Sequence, residues 1–286
     1  MASMRDIKRR KSSIQSTQQI TNAMKLVSTV KLQKARSRAE QTNPYFNYMY
    51  KTVASMLARS QNIDHKYLKE PETNKKGVVV ITSNRGLAGG YNSNIVKLVA
   101  DGKLKKEDLE IYAVGNKGAE AFQRRGYSVK ESVPDLIESP SYDEAAGLCS
   151  RVLEAYENGE IGEIYLVYTH FKNTVSQVPT MIKLLPVDVS EIEVEEGDNE
   201  ILMNYEPNEI EALDMIIPKY VTSLLYGALV EAVASENGAR MTAMDSATSN
   251  AEEIISDLSL KYNRARQSSI TQELTEIIAG ANAVEQ

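Results

Sequence analysis

Helix-breaking residues are nearly absent from both ends of this chain. Residues 1–43 contain neither proline nor glycine, and residues 219–286 contain no proline and only Gly227, Gly238 and Gly280. A helix from Met4 to Asn43 would be about 60 Å long, and one over residues 210–280 about 105 Å. The stretch between them has the rhythm of an α/β domain of roughly 120 residues, with a radius of gyration near 13–14 Å. Neither helix can be buried along such a body for its whole length, so each apolar face needs another long helix, and each end is the only such helix available to the other. The pattern predicts a long antiparallel coiled coil of the N- and C-terminal helices with an open α/β domain inserted between them.

The boundaries follow from changes of period. Residues 1–60 form the N-terminal shaft helix, with Ile7, Ile14, Met24, Val27, Val30 and Leu32 as a thin apolar stripe and a kink or stop expected at Pro44. Residues 61–76 are polar and contain Pro71, which marks a linker. Residues 77–190 alternate strand and helix signals: strands at Val78–Ile81, Glu110–Val114 and Glu163–Thr169, helices at Asn92–Val99, after Gly115–Gly118 and at Tyr142–Tyr156, and an edge strand at Ser176–Leu185. That alternation implies a mostly parallel sheet. Residues 191–209 are an acidic connector. The C-terminal shaft helix spans 210–286, its start flanked by Pro207 and Pro218, with apolar residues three and four apart from Val221 to Ile278. Small residues recur at the turns of both long helices (Ala23, Ala35, Ala39; Ala243, Ala247, Ala251), which permits close approach and leaves a slim, mostly polar exterior.

Charge is segregated. Residues 1–40 carry ten Lys or Arg against Asp6 and Glu40, a net of +8, whereas residues 191–211 carry nine Asp or Glu and no Lys or Arg. Such asymmetry concerns partners and steering, not fold. Cys149 is the only cysteine, which excludes an intrachain disulfide and fits a reducing compartment. No run of 18 consecutive apolar residues is present, and the basic N-terminus lacks the apolar segment of a secretory signal.

Signals of chemistry are weak. Thr82–Gly90 follows a strand and precedes a helix, as a phosphate loop does, but matches neither G-x-x-x-x-G-K-[ST] nor G-x-G-x-x-G and reads as a structural turn. His65 and His170 have no cysteine cluster near them and suggest no metal site. Asp143-Glu144 and Glu252-Glu253 read as solvated helix surface. On these residues alone three classes stay open: a coiled-coil scaffold, an α/β enzyme with helical arms, or a basic nucleic-acid binder. Carboxylates lining a surrounding ring would attract the basic helix as well as phosphates would.

Longer blocks narrow the choice. Met1-Ala-Ser-Met-Arg-Asp-Ile-Lys8, Thr17–Ser28 (TQQITNAMKLVS) and Lys31-Leu-Gln-Lys-Ala35 resemble the amino-terminal helix of the gamma subunit family of the F-type ATP synthase. Ser235–Met244 (SENGARMTAM), Ala247–Ala251, Leu258–Gln267 (LSLKYNRARQ) and Ile270–Ala281 resemble its carboxy-terminal signature, and Ile81–Asn92 fits its middle. The resemblance covers essentially the whole chain and is to the compact bacterial form, without the insertion that carries a redox switch in some plant members.

What the resemblance implies is a non-catalytic rotor: paired helices inside a hexamer of alpha and beta subunits, and a Rossmann-like α/β domain at the foot beside the epsilon subunit and the membrane c ring. It implies no cofactor, no metal, no nucleic acid and no direct membrane insertion, with the complex at the cytoplasmic face of the bacterial membrane. By motif, Met24 and Lys25 match a region facing an acidic segment of beta. Arg9 and Arg10 match a basic region deeper in the shaft. Arg264, Arg266, Gln267 and Thr271 match a region touching a loop of beta, Ile277–Val284 the apolar tip, and Tyr205 the foot near the c ring. Lys11 departs from the family, standing where an apolar residue is usual.

Overall fold

The structure is a computed structural model that describes residues 4–59, 65–69, 73–187 and 208–284. The elements in chain order are helix α1 (Met4–Arg59), strand β1 (Lys76–Ile81), helix α2 (Tyr91–Ala100), a 3-10 turn (Lys106–Asp108), β2 (Leu109–Val114), α3 (Asn116–Arg124), β3 (Ser128–Ser132), α4 (Asp135–Glu138), α5 (Tyr142–Glu157), β4 (Glu163–Phe171), β5 (Gln177–Leu185) and α6 (Glu209–Val284). They form two compact units, Met1–Ser28 with Met241–Gln286, and Thr29–Arg240. The acidic connector up to Pro207, and Tyr205 with it, lies outside the described residues.

The second unit is built on a five-stranded sheet of order β3-β2-β1-β4-β5, in which β1–β4 are parallel and β5 pairs antiparallel with β4. Both faces are covered, which explains the unbroken β-branched run of β1. Val79 and Ile81 point into one core with Tyr112, Val114, Ile164 and Leu166, under Leu148, Cys149 and Val152 of α5 and Leu213, Ile217, Val221 and Leu225 of α6. Val78 and Val80 point into the other with Ile111 and Ala113, under Ile95, Val96 and Val99 of α2 and Phe122 of α3. Val53 and Met56 of α1 join the first core. One 18-residue window of α6 reaches a mean hydropathy of 1.3, and 56% of it is buried. A helix that forms one wall of a two-sided core needs that composition.

The two prolines that the sequence sets near helix disruptions, Pro44 as a kink or stop and Pro218 as a flank of the last helix's start, both lie inside helices. Pro44 falls within α1 and Pro218 within α6. A proline removes one i→i−4 hydrogen bond and crowds a carbonyl, at about 3 kcal/mol in a helix interior. In α6, Leu213, Ile217 and Val221 are buried on both sides of Pro218, and burial of each contributes about 1.5–3 kcal/mol, so packing carries the helix through. Pro44 is exposed, with Leu32 and Ala35 buried before it and Val53 and Met56 after it. Strand β3 (Ser-Val-Lys-Glu-Ser) had no hydrophobic run to reveal it. It is a short, charged edge strand, the composition that protects a sheet edge. Within the stretch read as a linker, the backbone folds a turn at His65–Lys69 that buries His65 and Tyr67.

The turn between β2 and α3 depends on glycine. Gly115 has φ +93°, and a Cβ there would stand 2.1 Å from the Thr82 carbonyl oxygen. Thr82 is itself fixed, its Oγ1 accepting from the Gly118 amide at 2.9 Å. Gly159 also has a positive φ (+74°) but faces open space. Gly115→Ala is therefore expected to cost about 3 kcal/mol or more and Gly159→Ala only about 1, read as the fall in urea midpoint of the full chain.

Candidate functional site

The unit formed by the two chain ends is a helix pair held by a narrow, hydroxyl-rich seam. Gln18 donates to Glu252 at 3.0 Å, the Thr21 and Thr248 hydroxyls meet at 2.8 Å, and the Lys25 ammonium lies 2.6 Å from Asp245. Each step forward along α1 is matched by a step back along α6, so the helices are antiparallel. Thr21, Ser28, Met244, Ala251 and Leu258 are buried in or near the contact. Ser28 donates to the Met24 carbonyl, and the single protons of Thr21 and Thr248 have the Gln18 and Met244 carbonyls and the facing hydroxyl as acceptors, so each of these three donors has a partner. Val27 and Val30, read from the sequence as members of the apolar stripe, are exposed instead, the contact turning on Thr21 and Ser28; Ile20 and Leu26 of α1 and Ile254 and Leu260 of α6 are exposed too.

The register sets the described part of α1 against α6. Carried back from the Thr21–Thr248 pair, Met4 falls opposite Ala265. The remaining Arg266–Val284 segment, roughly 28 Å of helix, has no described α1 residue opposite it. Along it Ile270, Leu274, Ile277 and Ile278 are 48–67% exposed. Their spacing of four, three and one makes one apolar stripe on a single helix.

The sequence-derived residues fall into two places on this pair. Met24 and Lys25 lie beside Met244 and Asp245, Met24 half-buried and Lys25 in its bridge to Asp245. Arg9 and Arg10 are exposed near the start of α1, with Arg9 3.4 Å from Asp6. Arg264, Arg266, Gln267 and Thr271 are exposed on α6, the Thr271 hydroxyl bonding the Gln267 carbonyl at 2.9 Å. The same register sets Arg9 and Arg10 opposite Leu260 and Ser259, so Lys261, Arg264 and Arg266 join Arg5, Lys8, Arg9, Arg10 and Lys11 in one basic band, with the apolar stripe beyond it. Asp245, the counter-charge of Lys25, was missed by sequence reasoning, and Glu252, the acceptor of Gln18, was read only as solvated helix surface. Only the register pairs them with Lys25 and Gln18, and no single-sequence signal gives a register.

In the other unit the strand order reverses between β1 and β4, and sheets of this kind hold ligands in the crevice beyond the carboxyl ends of those strands. Here that crevice is occupied by α6. Ser235 donates to the Thr169 carbonyl at the end of β4 (2.9 Å), the Tyr91 hydroxyl bonds the Ala232 carbonyl (3.3 Å), and the Arg240 guanidinium reaches the carbonyls of Arg85 and Gly86 in the β1–α2 loop (both 3.4 Å). Full burial beside Glu236 pushes the Tyr91 phenol far above its ordinary range. The glycine-rich loop thus presents its carbonyls to a helix of the same chain, where a phosphate would need its amides. Both histidines face α6 carboxylates: His65 Nε2 is 3.3 Å from Asp214, and His170 Nδ1 is 2.7 Å from Glu231. Burial raises the Cys149 thiol to about 11, far from the lowered value of a reactive thiolate. Among the described residues no group of His, Cys, Asp or Glu has the geometry of a metal site.

Residues 3–284 match the family described as ATP synthase. The chain is 65% identical to the ATP synthase gamma chain of Lachnoclostridium phytofermentans, covering 99% of this chain and 100% of that protein. It is 40% identical to the sodium-ion-specific gamma chain of Acetobacterium woodii, covering 98% of each. Among solved structures, a chain in the central stalk and c-ring structure of the Tetrahymena thermophila mitochondrial ATP synthase matches 80% of this chain and 99% of its own length at 26% identity, with a TM-score of 0.61. A chain of the Euglena gracilis mitochondrial enzyme matches 98% and 94% at 20% identity with a TM-score of 0.72, a likeness of fold. With the match spanning nearly its whole length, the chain belongs to the ATP synthase gamma chain family.

Proposed function

We infer that the chain is the central rotor shaft of an F-type ATP synthase and carries torque between a membrane c ring and a catalytic hexamer of alpha and beta subunits. It is a non-catalytic subunit. The observation that carries the reading is the Arg266–Val284 segment of α6, which has an exposed apolar stripe and no described α1 residue opposite it. A stripe of that kind on a basic-banded helix fits an enclosing sleeve with an apolar collar and acidic walls.

The seam supports the same reading. Hydroxyls and small side chains hold the pair together at close range, while the outside carries polar and basic groups with single apolar side chains among them. A shaft that turns inside its partners needs cohesion between its helices and weak adhesion outside. Lys25 illustrates the balance. Its bridge to Asp245 joins side chains 38% and 58% exposed, and such surface pairs are worth about 0–1 kcal/mol. The ammonium can leave Asp245 for a carboxylate of a passing beta subunit at little cost. Arg9, Arg10, Met24, Arg264, Arg266, Gln267 and Thr271 are read as further contacts with the hexamer, and Tyr205 as a contact near the c ring. The epsilon subunit is the partner inferred for the α/β domain. The complex sits in the membrane, and we assign this subunit to its cytoplasmic face.

Reconstitution tests the reading. With alpha and beta subunits present, a probe on the α/β domain should rotate during ATP turnover, and the isolated chain should hydrolyse no ATP. A hexamer that never takes up this chain would sink the proposal. Ile277→Asp with Ile278→Asp should leave the melting temperature of the free chain unchanged, because both side chains are largely exposed in it. Losing burial of two such side chains, about 3 kcal/mol or more, should weaken assembly about 10²-fold, read by titrating the chain against the hexamer. Lys25→Gln should leave assembly and chain stability within about 0.5 kcal/mol of the parent and lower the ratio of proton pumping to hydrolysis in the membrane-bound complex.

A further inference from the structure

The crevice between β1 and β4 is filled by three hydrogen-bonding groups of α6, and each is anchored in a different part of the fold. Ala232 holds the first turn of α2 through Tyr91, Ser235 holds the end of β4 through Thr169, and Arg240 holds the β1–α2 loop. At 100° per residue, Ser235 and Arg240 stand about 140° apart around the helix axis. Rolling the helix in either direction therefore strains one anchor or the other. Fastening at well-separated azimuths is what keeps a rod from spinning in its socket, and packing of smooth apolar side chains alone does not supply it.

Arg240 is the most constrained of the three. Its guanidinium donates to Glu236 at 2.7 Å, both side chains are only 12–13% exposed, and its other terminal nitrogen is shared between the Arg85 and Gly86 carbonyls. The planar fork fixes direction as well as distance, which a lysine ammonium does not. The loop it grips is stiff in its own right. Ser83 Oγ donates to the Arg85 carbonyl at 2.7 Å, the Ser83 amide donates to Asn92 Oδ1 at 3.0 Å, and Leu87 is held at φ 61°, a conformation that a leucine keeps only when its surroundings impose it.

We propose that the ligand crevice of this sheet has become a torque-transmitting joint, with Arg240 the positioning residue that locks α6 to the β1–α2 loop. The Glu236–Arg240 pair occupies the place where a nucleotide sits in sheets of the same order, and it converts a binding cleft into a fixed coupling. This rests on the rotor reading, and it locates where within the α/β unit the load passes to the helix.

The test uses the full chain, free and assembled with the hexamer, carrying a rotation probe on Val175→Cys, a position 81% exposed in the turn between β4 and β5. In Arg240→Gln, amide exchange across residues 83–90 of the free chain should rise about tenfold or more, and the angular variance of the probe within each dwell should roughly double. Bulk hydrolysis by the complex should stay within about twofold of the parent, while Arg240→Lys should recover less than about half of the lost stiffness. Glu236→Gln, which leaves the guanidinium in place and removes its counter-charge, is the second variant and should show the same two changes to a smaller degree. Unchanged exchange in both variants would overturn the joint, as would raised exchange with unchanged dwell variance. A parent complex that fails to turn would instead refute the rotor reading. The exchange measurement would then decide the lock alone, raised exchange retaining it and unchanged exchange removing it.

Discussion

The contact on which the rest depends is the hydroxyl seam between the two chain ends. Helices of 56 and 76 residues cannot both be buried along a domain of this size. Where they meet, a broad leucine interface would bind tightly and make a thick rod. Thr21 against Thr248, flanked by Ser28 and Ala251, gives a thinner one. Each hydroxyl has a carbonyl of its own helix within hydrogen-bond reach, so none of these buried donors is left unpaired. Polar bridges at Gln18–Glu252 and Lys25–Asp245 on the same register then do what polar groups do in coiled coils: they make one alignment better than its neighbours without adding much stability.

The α/β unit shows how a common architecture loses its usual ligand site. Its strand order and its Gly-rich turn after β1 are those of nucleotide-binding sheets, and by topology alone a cleft at the β1–β4 reversal is expected. Backbone direction at that turn decides otherwise. The Arg85 and Gly86 carbonyls are turned to the crevice, and a guanidinium from α6 meets them. An anion there would face carbonyl oxygens and the buried Glu236 carboxylate. The same groups that repel a phosphate hold a cationic side chain, and a cationic side chain on a helix is a fastening.

Much of this was legible in the sequence. The lack of helix breakers at both ends marked the long helices, and the failure of either stripe to find cover on a small domain paired them. The β-branched run Val78–Ile81 identified a central buried strand because only a strand covered on both faces tolerates four such residues in succession. What stayed hidden has physical reasons. Pro44 read as a kink or stop, and Pro218 as a flank of the last helix's start, because local rules do not know that burial on either side outweighs one lost hydrogen bond. Strand β3 lacked an apolar run because it is an edge. Asp245 could not be matched to Lys25 across 220 positions without the register, and the role of Arg240 depends on a loop 155 residues away. The family resemblance placed Arg240 in a signature block without saying what it touches.

These features share one mechanical logic, in which strength and weakness are put in different places. Where the helix must not slip, the charge pair is shielded and directional: Arg240 and Glu236 are nearly buried, and breaking them strands a charge in a poorly solvated site, which costs far more than an exposed pair returns. Where the surface must pass from one neighbour to the next, the pair is exposed and exchangeable, as Lys25 and Asp245 are. Exposure separates the two kinds of pair more than chemistry does, since each joins a basic side chain to a carboxylate. A rotor built the other way, with exposed pairs at its joint and buried ones on its flank, would slip where it should hold and stall where it should turn.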